Sequence, residues 1–160
     1  MKNKVYWSKS VKWISSLASL VMLVGGTVSL EEYSLWGIIT ASLLLIVLFF
    51  CAYWAPNYVE VTKRTIRLHK LVGIKAIPLN EIKTIDIYRG GSMDVRVCGS
   101  GGFLGFTGLF YNNEIGNYYS YIGCYRQAFL IQLKNNKKYL LSCENREQLV
   151  ALVKSIIERI

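Results

Sequence analysis

Few residues in this chain could do chemistry. There is one histidine, His69, and there are four cysteines, Cys51, Cys98, Cys124 and Cys143. Cys98 stands two positions after Arg96, and a neighbouring cation lowers a thiol pKa, so Cys98 is the one candidate for an activated nucleophile. An enzyme centred on Cys98 and His69 is therefore the distant alternative. Against it, no acidic pair or metal-ligand cluster stands near either residue, and Cys98 reads more simply as a small apolar strand residue. No catalytic residue, metal site or cofactor is assigned. The cysteines form no CxxC pair, which agrees with a reducing compartment rather than a disulfide framework.

The glycine-rich run at 99–108 invites comparison with a phosphate cradle. Such a cradle needs glycines at set spacing and a helix amino terminus aimed at the anion. Counting a G-x-G-x-x-G from Gly99 reaches Leu104 at the third glycine, no G-K-[ST] follows, and the flanks read as strands. A long hairpin whose glycines permit positive φ is the better reading. Its tip is apolar and aromatic, so Gly99, Gly101, Gly102, Phe103, Leu104 and Phe106 are candidate partner or loop contacts. The same tip could enter a headgroup region or cover the domain's own core.

Five basic residues, Lys63, Arg64, Arg67, Lys70 and Lys75, surround a predicted first hairpin. Near an anionic leaflet each contributes roughly 1 kcal/mol. They are candidate lipid or anion contacts, and a solvated face is the bland alternative. Tyr118, Tyr119, Tyr121 and Tyr125 form a second cluster, with Tyr119 and Tyr121 expected on one strand face and Tyr118 with Ser120 on the other. Cross-strand packing explains them without a ligand, and a sugar or peptide groove is the sharper reading.

These residues must be positioned by two different kinds of material. Residues 13–30 carry no charge, and neither do residues 35–54, which as a helix would span about 30 Å, the thickness of a hydrocarbon core. The spacing predicts two membrane helices, about 13–30 and 35–54, joined by a polar turn with Glu31 and Glu32. Lysines precede the first run, and Lys63, Arg64, Arg67 and Lys70 follow the second, which places both termini in the cytoplasm. Trp7, Trp13, Trp36 and Trp54 fall at the predicted boundaries as interface anchors, with Tyr33, Tyr53 and Tyr58 nearby. A cleavable signal with 27–29 as its processing site is the minority reading, because the apolar stretch is longer than about 15 residues. Small residues four apart, Ser15 with Ser19 and Gly37 with Ala41, are candidate helix contacts.

The chain thus divides into a helical hairpin at 1–54 and a domain at 55–160. Of the formal charge of +9, +7 falls in 55–160, which favours an anionic neighbour. A nucleic acid ranks low as the partner and is not expected, because there is no block of like charge and no helix-turn-helix or zinc-ligand spacing. Alternating runs predict strands at 58–62 and 65–69, with Ile66 and Leu68 opposite Arg67 and His69, and further strands at 74–79, 82–88 and 94–97. Gly90 and Gly91 break the chain. Strands at 129–133 and 138–141 flank a turn at Asn135 and Asn136. Leu149, Leu152, Val153, Ile156 and Ile160 then share a helical face, with Asn145 and Gln148 as an approximate capping box.

The run at 96–108, after an I-x-L-x-x-I pattern at Ile77, Leu79 and Ile82, resembles bacterial pleckstrin-homology-like (PH-like) domains that follow a two-helix membrane anchor. The resemblance implies a partly open barrel of about seven strands in two near-orthogonal sheets, plugged by the final helix. It also implies self-association through strand edges. The phosphoinositide signature of eukaryotic relatives is basic-x-basic on the second strand after a variable loop; here Arg67-Leu68-His69 ends in histidine and the loop is short. The expected function is a non-catalytic binding or assembly module at the cytoplasmic face of a bacterial inner membrane, with a homo-oligomer or protein partner and membrane lipids around the anchor. A lipid-headgroup sensor using the basic hairpin is the alternative.

Overall fold

The computed structural model describes residues 1–31, 35–90 and 94–158. Glu32 and Tyr33 of the expected turn, Gly91 of the expected break and Ile160 of the expected helix face lie outside the described residues. Helix α1 spans Lys9–Glu31 and α2 spans Leu35–Trp54. Both are long and apolar enough to cross a membrane, over Lys9–Ser29 and Leu35–Trp54. The first begins before the apolar run because Ser8 caps it: its hydroxyl accepts from the Val11 amide at 3.3 Å and its carbonyl from the Lys12 amide at 3.0 Å. Gly37 and Ala41 are the buried positions of α2, as their small size predicted, and Gly25 of α1 faces Leu44.

A strand that sequence patterning missed precedes the helices. β1 (Lys2–Lys4) pairs antiparallel with β2 (Pro56–Val61), Asn3 lying opposite Val59. β3 (Thr65–Lys70) and β4 (Ile74–Pro78) complete a four-stranded sheet in the order β1-β2-β3-β4. The second sheet has six strands in the order β5-β9-β10-β8-β7-β6. They are β5 (Ile82–Ile87), β6 (Val95–Gly102), β7 (Gly105–Asn112), β8 (Gly116–Ile122), β9 (Ala128–Leu133) and β10 (Lys138–Ser142). All pairings are antiparallel except β10 with β8, which run parallel.

Side-chain alternation sets the core between the sheets. Ile66, Leu68 and Ile77 of the first sheet meet Ile85, Phe129, Ile131 and Leu141 of the second, all fully buried, and each contributes about 1.5–3 kcal/mol of burial. The last helix, α3 (Arg146–Ile157), closes this core with Leu149, Val150 and Val153. The opposite face of the second sheet is covered too, because Phe110, Tyr118, Ile122 and Leu140 cluster there with Tyr88 and Ile115. Asp94 ties that cover down, accepting from Asn112 Nδ2 at 2.7 Å and from the Tyr88 hydroxyl at 3.2 Å. Burial, with the Asp94 charge beside it, pushes the Tyr88 hydroxyl up to about 12.

The fold is therefore a two-helix hairpin leading into a mainly-β domain of two open sheets with a C-terminal helix. Its described strands number ten rather than seven, and the sheets do not close into a barrel. Two local expectations are corrected. Asn145 occupies the N-cap position of α3 in a left-handed conformation (φ 56°) and makes no side-chain cap bond, so the Asn145 and Gln148 box does not form. Leu152, expected on the buried face, is exposed, because the face that meets the core centres on Leu149, Val150 and Val153.

Candidate functional site

The glycine run is a hairpin, with β6 and β7 joined by Phe103 and Leu104. Gly99 and Gly108 face each other in register at φ +127° and +123°. A Cβ on Gly99 would lie 2.1 Å from the Thr107 carbonyl oxygen, and one on Gly108 2.2 Å from that of Cys98, so neither position admits a side chain. The tip does not stand alone. It seats on α1, where the Leu104 amide donates to Ser15 Oγ at 2.8 Å and Gly102 lies beside Ile14. Ser15, expected as a helix contact, thus serves the hairpin. Phe103 and Leu104 are half-buried, and Phe106 meets the edge of Tyr125 at 4.9 Å between ring centroids. Gly101 packs beside the Arg96 guanidinium.

Four strands are sheet edges, and they are protected unequally. β1 has three residues, two of them lysines, and β4 ends in Pro78 and carries Lys75. α3 packs on the Ile85 side of β5, and Lys154 of that helix pairs with Asp86 at 2.7 Å. β6 is eight residues long and, among the described residues, has a strand partner only on its β7 side; its Gly102 end meets α1, and Val95 is 53% and Val97 57% exposed. It is the least protected edge.

The basic cluster divides. Lys63 and Arg64 are exposed in the β2–β3 turn, and Arg67 is exposed opposite Glu60. His69 stacks on Tyr58 at 4.1 Å and reaches Glu60 Oε2 at 3.3 Å. Lys70, at the far end of β3, places its ammonium 4.4 Å from the Tyr53 ring centroid and 4.6 Å from that of Trp54. Lys75 lies 5.5 Å from the Tyr139 ring centroid. Lys75 pairs across the sheet with Leu68, two residues before Lys70 on the same face of β3, and burial, then the Lys75 charge, lower the Lys70 pKa. A strand of six residues, about 20 Å, separates them from the Lys63 and Arg64 turn. The structure brings Lys70 and Lys75 together and leaves Lys63 and Arg64 apart.

Sequence reading missed an apolar cleft of about 370 Å³. It lies between the end of α2, with Phe50, Cys51 and Trp54, and strands β6, β7 and β8 of the second sheet. Leu109, Tyr119, Gly99 and Gly108 line it from the second sheet. Tyr119 stacks on Tyr139 at 5.5 Å and Trp54 on Tyr121 at 6.1 Å, so the cleft and the two lysines share a border of aromatic rings. The only signal in the sequence was the glycine pair itself.

The tryptophans also divide. Trp13 and Trp36 are 76% and 78% exposed on the helices. Trp54 packs against the core, and Trp7 donates from Nε1 to the Pro56 carbonyl at 3.0 Å, so these two fasten the helices to the domain. Tyr119 and Tyr121 share the inner face and Tyr118 and Ser120 the outer one, as alternation predicted. Cys98 borders the cleft from the second sheet, whereas His69 lies in the first, so the two are not assembled into a pair. Among the described residues no group of three or more His, Cys, Asp or Glu is placed to hold a metal ion.

No curated protein and no solved structure matches the chain. The profile of the bacterial PH domain family matches residues 57–157, which takes in β2 through α3 and more than half of the chain. With two sheets packed over one core, a C-terminal helix closing it and this match, the chain belongs to the bacterial PH domain family.

Proposed function

We propose that this protein is a non-catalytic, membrane-anchored assembly module. Its two helices hold the PH domain at the cytoplasmic face of a bacterial inner membrane, with both termini on that side, and the β6 edge takes up a strand from a second copy. The observation that carries this reading is the open edge of β6 at its Val95 end, with Val95 and Val97 exposed. A strand edge is self-complementary when two copies meet antiparallel about a two-fold axis, so no other partner is needed to satisfy it. Confinement to one bilayer raises the effective concentration of copies and favours such a contact even at modest intrinsic affinity.

The test is energy transfer between differently labelled full-length copies in lipid vesicles. Transfer above that of a monomeric membrane protein, lost in a Val95→Asp/Val97→Asp variant that keeps its melting temperature, supports the reading. Transfer at the monomer level in the unmodified chain overturns it.

A further inference from the structure

The cleft under α2 has two lysines at its aromatic border, and the two parts call for opposite chemistry. Phe50, Leu109 and the paired glycines present almost no polar atom, and the volume of about 370 Å³ falls within the usual range of small-molecule sites, about 300–1,000 Å³. At the cleft's border the Lys70 ammonium lies over Trp54, itself part of the wall, and Lys75 lies over Tyr139, which stacks on the wall residue Tyr119. An occupant must therefore be apolar along one part and anionic at one end.

The position of the cleft narrows the choice. Phe50 and Cys51 belong to the span Leu35–Trp54, so the cleft is continuous with the surface of a helix able to cross a membrane, close to the end of its apolar run. A bilayer lipid can reach this place by lateral movement, without first leaving the membrane. We propose that the cleft holds the acyl chain of one anionic phospholipid whose phosphate rests on Lys70 and Lys75. This site is distinct from the Lys63 and Arg64 turn at the other end of β3. It rests on the membrane placement proposed above and is independent of strand pairing at β6.

The experiment uses the full chain in nanodiscs of equal parts phosphatidylglycerol and phosphatidylcholine with identical acyl chains, released into the gas phase for native mass spectrometry. The expected result is one retained phosphatidylglycerol in preference to phosphatidylcholine. Lys70→Gln/Lys75→Gln should weaken that preference about tenfold or more, while Lys63→Gln/Arg64→Gln leaves it unchanged. Leu109→Trp, which fills the cleft, should abolish retention of both lipids. If Leu109→Trp fails to fold, the surface lysine pair still decides the matter. Equal retention of the two lipids by the unmodified chain, or an equal loss in the Lys63→Gln/Arg64→Gln variant, would overturn the site. A chain that floats with no vesicle of either lipid would overturn the membrane placement itself.

Discussion

The amide of Leu104 and the hydroxyl of Ser15 are 2.8 Å apart, although 89 positions separate them in sequence. This hydrogen bond joins the tip of the glycine hairpin to the first long helix, and the Ser15 hydroxyl in turn donates to the Val11 carbonyl at 2.6 Å. Ser15→Ala leaves the Leu104 amide without its partner at a cost of about 1 kcal/mol. Hydrogen exchange should quicken at Leu104 in that variant, with the amides of β9 and β10 unaffected, and Ser15→Thr should restore protection.

Gly99→Ala meets both a carbonyl oxygen at 2.1 Å and a φ of +127°. Gly116, at φ +78°, has nothing within 4 Å of a built Cβ. Thermal unfolding should therefore separate them: about 3 kcal/mol or more lost for Gly99→Ala, against about 1 kcal/mol for Gly116→Ala. Equal losses would mean that β6 and β7 do not approach as closely as described.

The first seven residues should stabilise the domain. β1 extends the first sheet, Val5 enters the main core, and the Trp7 indole donates to Pro56. A fragment of 55–160 should melt below the full chain in the same detergent. Trp7→Phe, which keeps the ring and removes the donor, should cost about 1 kcal/mol. A fragment as stable as the whole chain would show β1 to be dispensable.

Stability should fall in alkali. Burial pushes Cys143 up from 9.0 to about 12 and Tyr121 from 10.0 to about 12, with Glu144 and the neighbouring tyrosines adding to the shifts, and Tyr88 behaves likewise. The folded state keeps these protons where the unfolded chain releases them. The contribution is thus complete below about pH 9 and is lost as the pH rises towards 12, at about 1.4 kcal/mol per pH unit for each group. Melting temperatures between pH 8 and 11.5 should trace this decline, and Cys143→Ala should make its first part shallower. A maleimide should label exposed Cys98 in the folded chain and buried Cys143 only after unfolding.

Periodicity carried much of this architecture in plain view. The uncharged run of α2 matched its helix at 35–54, and alternation assigned Ile66 and Leu68 to the core and Tyr118 and Tyr121 to opposite faces, because each signal lies within one element. What escaped was non-local. β1 is three residues, too short for a pattern, and exists only because β2 offers an edge. The parallel pairing of β10 with β8 leaves no mark in either strand. The candidate site divided for the same reason: Lys63 and Lys70 are close in sequence, but an extended strand carries them to opposite ends. The cleft was legible only as two glycines whose spacing has no meaning until the hairpin register pairs them.

β1 and β2 lie side by side at one end of the helical hairpin, so the hairpin leaves one sheet and returns to the same sheet. A domain hung from a single connecting segment could swivel about it. Here two adjacent strands lead into the two helices, with Trp7 and Trp54 as fixings on either side, and turning the domain would twist both connections at once and pull the Leu104 tip off Ser15. The domain is held like a blade in a two-point mount, so the direction faced by the β6 edge is set by the helices rather than left to diffusion.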